Sequence, residues 1–277
     1  AAGTNLLAGR ALKRQMFPLT AAELGEDFGI DQILRYGSIP LIWTAEDRAE
    51  SLEAYVQLYL REEIRAEALV RNLPGFVRFL PIAALFHGQT ISVSGIARDA
   101  GVARMTVDGY LEILEDTLLI YRLPGFYGKL RVRERKLPKL YWADPGLVRA
   151  VKRQRGPVTA EESGALFEGF VLHLLRAHAE EQHLYDDLTY WAPAQARHTE
   201  VDFLLHRGRE FVAIEVKAAK RFDSTMTQGL RAIGDLAGLK RRILVYDGDR
   251  PLQVDGDIEV WPIRVFSEVL AGGRLWG

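Results

Sequence analysis

The chain contains no cysteine. That excludes disulfide staples and thiolate zinc centres, although it does not fix a compartment. No apolar run comes near the roughly 20 residues that span a bilayer. The first residues, AAGTNLLAGRALKRQMF, lack the apolar stretch and cleavage pattern of a signal peptide. The expectation is a cytoplasmic protein with no membrane partner. An excess of one charge sign is also missing: the formal net charge is -1, with 48% hydrophobic and 26% charged residues. This is an ordinary globular balance, so any nucleic-acid site has to be a local basic patch and not a whole-protein field. Internal repeats and low-complexity tracts are absent. What remains, over 277 residues, has room for two domains or three small ones.

The first 40 or so residues are oddly assembled, with a basic patch at Arg10, Lys13 and Arg14 and a loop entering a helix at FPLTAAELGEDF. From Ala45 to about Val70, Leu52, Tyr55, Val56, Tyr59, Leu60 and Ile64 fall at helical spacing, which predicts one long amphipathic helix ending before NLPGF. The next stretch changes grammar. Ser92 or Ser94 can cap a helix running to Ala100, Gly101 supplies a tight turn, and a second helix turns Val107, Tyr110, Leu111 and Leu114 inward. LLIYRL and KLRVRERKLPKLYWAD then read as strands, and helix, turn, helix, hairpin is the order of a winged helix. After the polar linker KRQRGPV, Thr159 and Glu162 form a capping-box pattern before a long apolar helix. Strands are expected near LTYWAP, TEVDFLLHR and EFVAIEVKA, then a helix through TQGLRAIGDL and the strand RILVY. The fold class is therefore mixed α/β and α, multidomain, with a helical segment, a winged helix and an αβββαβ unit whose last strand is parallel to its neighbour.

Within FVAIEVKAAK, an acid and a base interrupt an otherwise apolar strand. Alternation puts Phe211, Ala213, Glu215 and Lys217 on one face. If Arg207 to Glu210 form a four-residue loop, Asp202 lies on the same face directly opposite Glu215; a two-residue loop keeps it on that face, displaced by one diagonal step, and an odd loop without a bulge turns it away. Two close carboxylates repel unless a cation lies between them. Oxygen ligands suit Mg²⁺, so Asp202 and Glu215 are the candidate metal ligands. A metal held there can activate water against a phosphodiester while Lys217 orients that water or offsets developing charge.

Asp202 followed across a turn by Glu215-x-Lys217, within this element order, resembles the PD-(D/E)XK nuclease-like superfamily, whose fold is restriction-endonuclease-like. The proline usual before the aspartate is Val201 here. The resemblance implies catalytic roles for Asp202, Glu215 and Lys217, adds Glu168 from the preceding helix as an acid beside the metal, and adds Gln228 from the following helix. More widely, LLAGRALKRQMFPLTAAEL, GSIP, LLIYRLPGFYGK, LPKLYWADPGL and GALFEGFVLHLL together resemble the C-terminal portion of prokaryotic predicted AAA-type ATPases. That resemblance implies the tail of an ATPase core over 1–44, a helical lid-like segment over 45–80, a winged helix over 81–155 and a nuclease-like domain over 156–277. No G-x-x-x-x-G-K-[ST] loop occurs, so ATP enters only if an ATPase core precedes this chain, and the chain is expected to begin after one.

DNA is the expected partner, with a protein partner docking on the winged helix as the other reading. Arg104 and Thr106 stand where a second helix reads base edges, although Asp108 and Glu112 on that helix repel phosphates. Lys129, Arg131, Arg133 and Arg135, beside Lys136 and Lys139, form a one-sided basic strand suited to phosphate contact. Each feature has a plainer reading. Asp202, Glu215 and Lys217 can be the solvated face of a hairpin or a degraded site, Glu168 and Gln228 ordinary helix polar residues, and the basic strand a solvated face. His173, His178 and His183 have no metal spacing and read as surface or boundary residues, while Trp142 and Trp191 read as core. The leading functional expectation is a DNA-associated module with Mg²⁺-dependent phosphodiester hydrolysis; the alternative is a non-catalytic regulatory or interaction module.

Overall fold

A computed structural model describes residues 14–59, 72–127, 137–193 and 199–277. The N-terminal part is a set of short helices, α1 (Ala21–Leu24), α2 (Ile30–Tyr36), α3 (Pro40–Trp43) and α4 (Arg48–Ala54), the last running into a π-helical turn at Tyr55–Tyr59. The helix expected over 45–70 therefore starts at Arg48 under an Asp47 cap and changes pitch at Tyr55. Leu52 and Val56 are buried as the periodicity requires, while Leu60 and Ile64 lie outside the described residues.

Next come α5 (Leu73–Leu85), β1 (Gln89–Thr90), α6 (Val93–Ala100), α7 (Arg104–Asp116), β2 (Ile120–Leu123) and β3 (Lys139–Trp142). Helix α5 starts at the Asn72 cap and crosses the boundary expected at 80/81, because Phe76 and Phe79 pack as one unit against Tyr110 of α7 at ring separations of 5.2 Å. Ser92 caps α6 and Gly101 ends it at φ 64°, a left-handed conformation that glycine adopts without strain. Val107, Tyr110, Leu111 and Leu114 face inward from α7. The three strands form an antiparallel sheet in the order β1-β3-β2. Of the longer basic strand expected here, residues 128–136 lie outside the described residues.

Helix α8 (Pro145–Val151) leads through the polar linker to α9 (Ala160–Gln182), the longest described helix. Glu162 accepts the Thr159 N–H at 3.0 Å, as the capping box predicts. A mixed sheet follows, built from β4 (Asp187–Trp191), β5 (Val201–Arg207), β6 (Glu210–Lys217), β7 (Leu239–Tyr246), β8 (Leu252–Val254) and β9 (Ile258–Pro262) in the order β4-β5-β6-β7-β9-β8. The short helix α10 (Gln228–Ala232) connects β6 to β7, which pair in parallel, and α11 (Ile263–Ala271) closes the described chain. Apolar side chains of α9 and one sheet face join those of α5 to α8 in one continuous core; a smaller cluster including Leu204, Ala213, Leu230 and Leu244 covers the other face. Trp142 and Trp191 belong to these cores. Among the described residues no helix is long and apolar enough to cross a membrane.

His173 and His178 depart from expectation: both are buried, because residues 17–19 lie across that side of α9 and the Leu19 carbonyl meets His173 Nε2 at 3.4 Å. Burial holds the His173 imidazole down at about 4, so it stays neutral. His183 is exposed at the left-handed end of α9.

Arg149 ties the helical part to α9. It is buried, bonds Glu162 at 3.1 Å, and also donates to the backbone carbonyls of Arg35, Gly156 and Pro157. Removing one member of a buried pair strands the other charge, at a cost of about 3 to 5 kcal/mol. Arg149→Ala should lower the unfolding free energy by about that much in urea titrations. A loss below about 1 kcal/mol would mean that the pair contributes no more than an exposed one.

Candidate functional site

The loop between β5 and β6 contains two residues, Gly208 and Arg209, with Arg207 opposite Glu210 and His206 opposite Phe211. Gly208 sits at φ 63°, as a tight hairpin turn demands. The even loop keeps Asp202 on the face of Glu215. The last described pair of this ladder is Phe203 and Ile214. One step further, Asp202 Oδ2 accepts the Val216 N–H at 2.9 Å, so a side chain replaces a ladder carbonyl where the strands part. Its other oxygen, Oδ1, is left to face α9 and β3.

There it meets Lys139. The ammonium lies 3.0 Å from Glu168 Oε1, 3.3 Å from Asp202 Oδ1 and 3.4 Å from Glu200 Oε1, with its side chain only 4% exposed. Lys139 was expected on a phosphate-facing basic strand, but it points inward, since an ammonium removed from water needs anions around it and three carboxylates supply them. Tyr141, two residues on and on the same strand face, donates its hydroxyl to Glu168 Oε1. Close packing delivers this strand to α9. A side chain on Gly169 would come within 2.5 Å of the His87 ring, and one on Gly88 within 3.2 Å of Ala165, so small residues let the 87–88 corner rest on the helix. Gly88 then donates to Leu140, and His87 Nδ1 accepts the Trp142 N–H at 3.0 Å, which fixes β3 in place. Burial holds His87 near 3, keeping the ring neutral and able to accept.

On the other side of Asp202, Lys217 Nζ bonds Glu215 Oε1 at 2.5 Å. Glu215 Oε2 is buried without a hydrogen-bond partner. Helix α10 passes close by: a Cβ on Gly229 would stand 3.1 Å from Glu215 Oε2 and 1.7 Å from the Glu200 carbonyl, so only glycine fits there. Gln228 is exposed at the start of α10 and donates to Thr199 Oγ1 at 3.2 Å. The structure thus brings together Asp202, Glu215, Lys217 and Glu168, with Gln228 engaged at Thr199. Lys139, Tyr141 and Glu200 were not found from the sequence. The parity that flagged Glu215 and Lys217 would have flagged Lys139 and Tyr141, a base and a phenol sharing one face of a strand among apolar residues.

Four carboxylates here share two ammonium groups. Burial, then the charge of Asp202, raises Glu168 to about 7 against the pull of Lys139, and the same two causes hold Glu215 well above the usual carboxylate range. Burial works against the Lys139 charge, but Glu168, Tyr141, Asp202 and Glu200 outweigh it and hold its pKa well above that of a free lysine. As a cage for Mg²⁺ these residues do not fit in this arrangement. Lys139 takes up the space between Glu168 and Asp202, and among the described residues no group of three or more His, Asp or Glu side chains is set to hold a metal.

Of the residues expected to contact nucleic acid, Arg104 is exposed on the first turn of α7, 3.9 Å from Asp108, with Thr106 half-buried behind it. Lys129, Arg131, Arg133 and Arg135 lie outside the described residues.

Against known proteins, residues 27–157 match a domain of unknown function, DUF8612, and residues 163–266 match a second, DUF4143. The chain is 27% identical over 276 residues to the uncharacterized proteins Mb2031c of Mycobacterium bovis and Rv2008c of Mycobacterium tuberculosis. The alignments take in 97% of this chain and 60% of each relative, so the chain spans three-fifths of the relatives' length. The crystal structure of protein VC1899 from Vibrio cholerae aligns with 80% of this chain and 54% of its own at 16% identity and a TM-score of 0.31, too slight a likeness to bear on the fold.

The raised carboxylates set a pH dependence. A folded-state pKa above the unfolded value means that the folded chain keeps a proton the unfolded chain has released, so this stability is full below about 4.5 and is lost as pH rises through about 7. The cluster lysines stay charged throughout that window, and the buried histidines act in the opposite direction as pH falls below their unfolded value. Glu168→Gln keeps the acceptor and deletes the titration. Its stability, relative to the parent chain, should therefore improve between pH 5 and 8 by up to about 3 kcal/mol, read from urea unfolding at each pH. Parallel curves for the two proteins would show that Glu168 ionises normally.

Proposed function

We propose that this chain is a DNA-associated module from the C-terminal portion of an AAA-type ATPase, a winged helix joined to a PD-(D/E)XK-like unit that binds rather than cuts in the arrangement described. The observation that carries the reading is topological. Among the described residues of 73–142 the order is helix, strand, helix, helix, strand, strand, with the sheet ordered β1-β3-β2, as in a winged helix. The first turn of α7 is open to solvent, with Met105 86% exposed beside Arg104. A second helix presented in this way is suited to a major groove, with Arg104 available to phosphate or base edges. For the second unit, α9, three antiparallel strands, a short helix and a parallel strand supply the αβββαβ order, with Asp202, Glu215 and Lys217 converging at the parting of β5 and β6.

Binding is preferred over hydrolysis because Lys139 takes the cation position beside Asp202. The hydrolytic reading retains one supporting observation, the unpartnered buried oxygen of Glu215. Nucleotide hydrolysis is left to an ATPase core, which would belong to the part of the longer relatives that this chain does not span.

Fluorescence anisotropy with labelled duplexes of unrelated sequence tests the reading. The chain should bind all of them with strong salt dependence. Replacing Arg131 and Arg133 by alanine should weaken binding similarly across sequences and reduce the log–log salt slope by about 2. Failure to bind any duplex at low salt would turn the winged helix into a protein-docking element. Duplex, branched and single-stranded DNA should all survive incubation with Mg²⁺ or Mn²⁺; nicking that disappears in Lys217→Ala would instead install the hydrolytic reading.

A further inference from the structure

Lys139 comes from the small sheet, whereas the carboxylates it touches come from α9 and from the start of β5 in the mixed sheet. Its ammonium meets Glu168, Asp202 and Glu200 within 3.4 Å, and its side chain and that of Asp202 are 4% and 3% exposed. A cation surrounded by three carboxylates at hydrogen-bonding distance stands as a hard metal ion would stand, except that it is tethered by four methylenes to the same chain. One further oxygen of the cluster, Glu215 Oε2, is buried with nothing bonded to it, so the lysine does not complete the set of acceptors. The two ammonium groups also fall short of four carboxylates in charge, a shortfall that a divalent ion in place of Lys139 would reduce and that protons otherwise cover.

We infer that Lys139 is the resident cation of this cluster and excludes divalent metal from it, so that a hard divalent ion and the Lys139 ammonium compete for one position between Glu168 and Asp202. The inference rests on the nuclease-like reading only for the identity of the carboxylates. The competing step is ion exchange, with no bond to carbon made or broken: the ammonium withdraws with its charge, and the metal takes the oxygens of Glu168 and Asp202. Lys217 stays on Glu215 Oε1, at 38% exposure, and does not block this position. Access is thus controlled by a residue of the neighbouring sheet and not by the acid-x-lysine strand itself.

Mn²⁺ titrations by calorimetry on the whole chain test the exchange. Lys139→Met keeps the length of the side chain and removes its charge, and should tighten Mn²⁺ binding by about a hundredfold or more over the parent. Lys139→Arg should gain nothing, and Lys139→Met combined with Asp202→Asn should lose the gain. A folded Lys139→Met that binds Mn²⁺ no better than the parent overturns the inference. So does a parent chain that already binds Mn²⁺ tightly in a manner abolished by Asp202→Asn. If Lys139→Met does not fold, reductive methylation of the parent decides: Lys139 should be protected compared with exposed Lys220, and should become labelled as Mn²⁺ is raised. Labelling at the rate of Lys220 without metal, or protection unchanged at saturating Mn²⁺, overturns the inference equally. These outcomes are independent of DNA affinity. Loss of duplex binding by the parent removes the functional reading and leaves the exchange standing; failure of the exchange leaves the DNA result untouched.

Discussion

The buried ammonium of Lys139 is the constraint around which the two sheets are arranged. A charge so far from water is tolerated only if anions replace its hydration, and three carboxylates do so, one from α9 and two from the start of β5. Each of them in turn needs the lysine, since Glu168 and Asp202 lie close enough to repel. The dependence runs through ordinary packing: Gly169 admits His87, Gly88 approaches Ala165, and the backbone of that corner fixes β3, so the lysine reaches α9 at a set height. A larger residue at 169 would move the strand and leave four carboxylates with one ammonium.

A second consequence concerns what the cluster can do chemically. Acid-x-lysine on a strand, with an aspartate across the hairpin, is an arrangement of oxygen donors that asks for a cation. The chain supplies its own. Burial and the charge of Asp202 raise Glu168 and Glu215, so both hold a proton to higher pH than a free carboxylate does. Proton and ammonium are therefore alternative answers to one electrostatic demand. The one present is set by a strand that belongs to a different sheet from the carboxylates themselves.

Local signals in the sequence were legible wherever they specified local geometry. The Ser92 cap, the Gly101 turn, the inward stripe of α7 and the Thr159–Glu162 box each depend on residues a few positions apart, and each recurs in the structure. The shared face of Asp202 and Glu215 was legible for the same reason, since any even loop keeps both residues on one side of the sheet. Lys139 was read as a member of a basic strand because its neighbours in sequence are basic; its neighbours in space are acidic, and no short-range pattern carries that information. His173 and His178 were misread in the same way, through a segment some 150 residues away that crosses α9. No element is expected at α5, because the aromatic contacts holding it to α7 join residues about 30 positions apart.

The two lysines of the cluster differ in a way that decides where a ligand could enter. Lys217 is partly exposed and bonds one oxygen of one carboxyl, so separating it returns its own ammonium to water but strands the buried Glu215. Lys139 is enclosed and bonds three carboxylates, so withdrawing it leaves several buried charges unpaired unless another cation arrives in the same step. Withdrawal of Lys217 thus uncovers one buried carboxyl, whereas withdrawal of Lys139 uncovers three carboxylates at once. An acid-x-lysine motif on its own specifies the first behaviour. The second arises from packing a strand of the small sheet against the acids, and it gives the same carboxylates a role in holding the two sheets together.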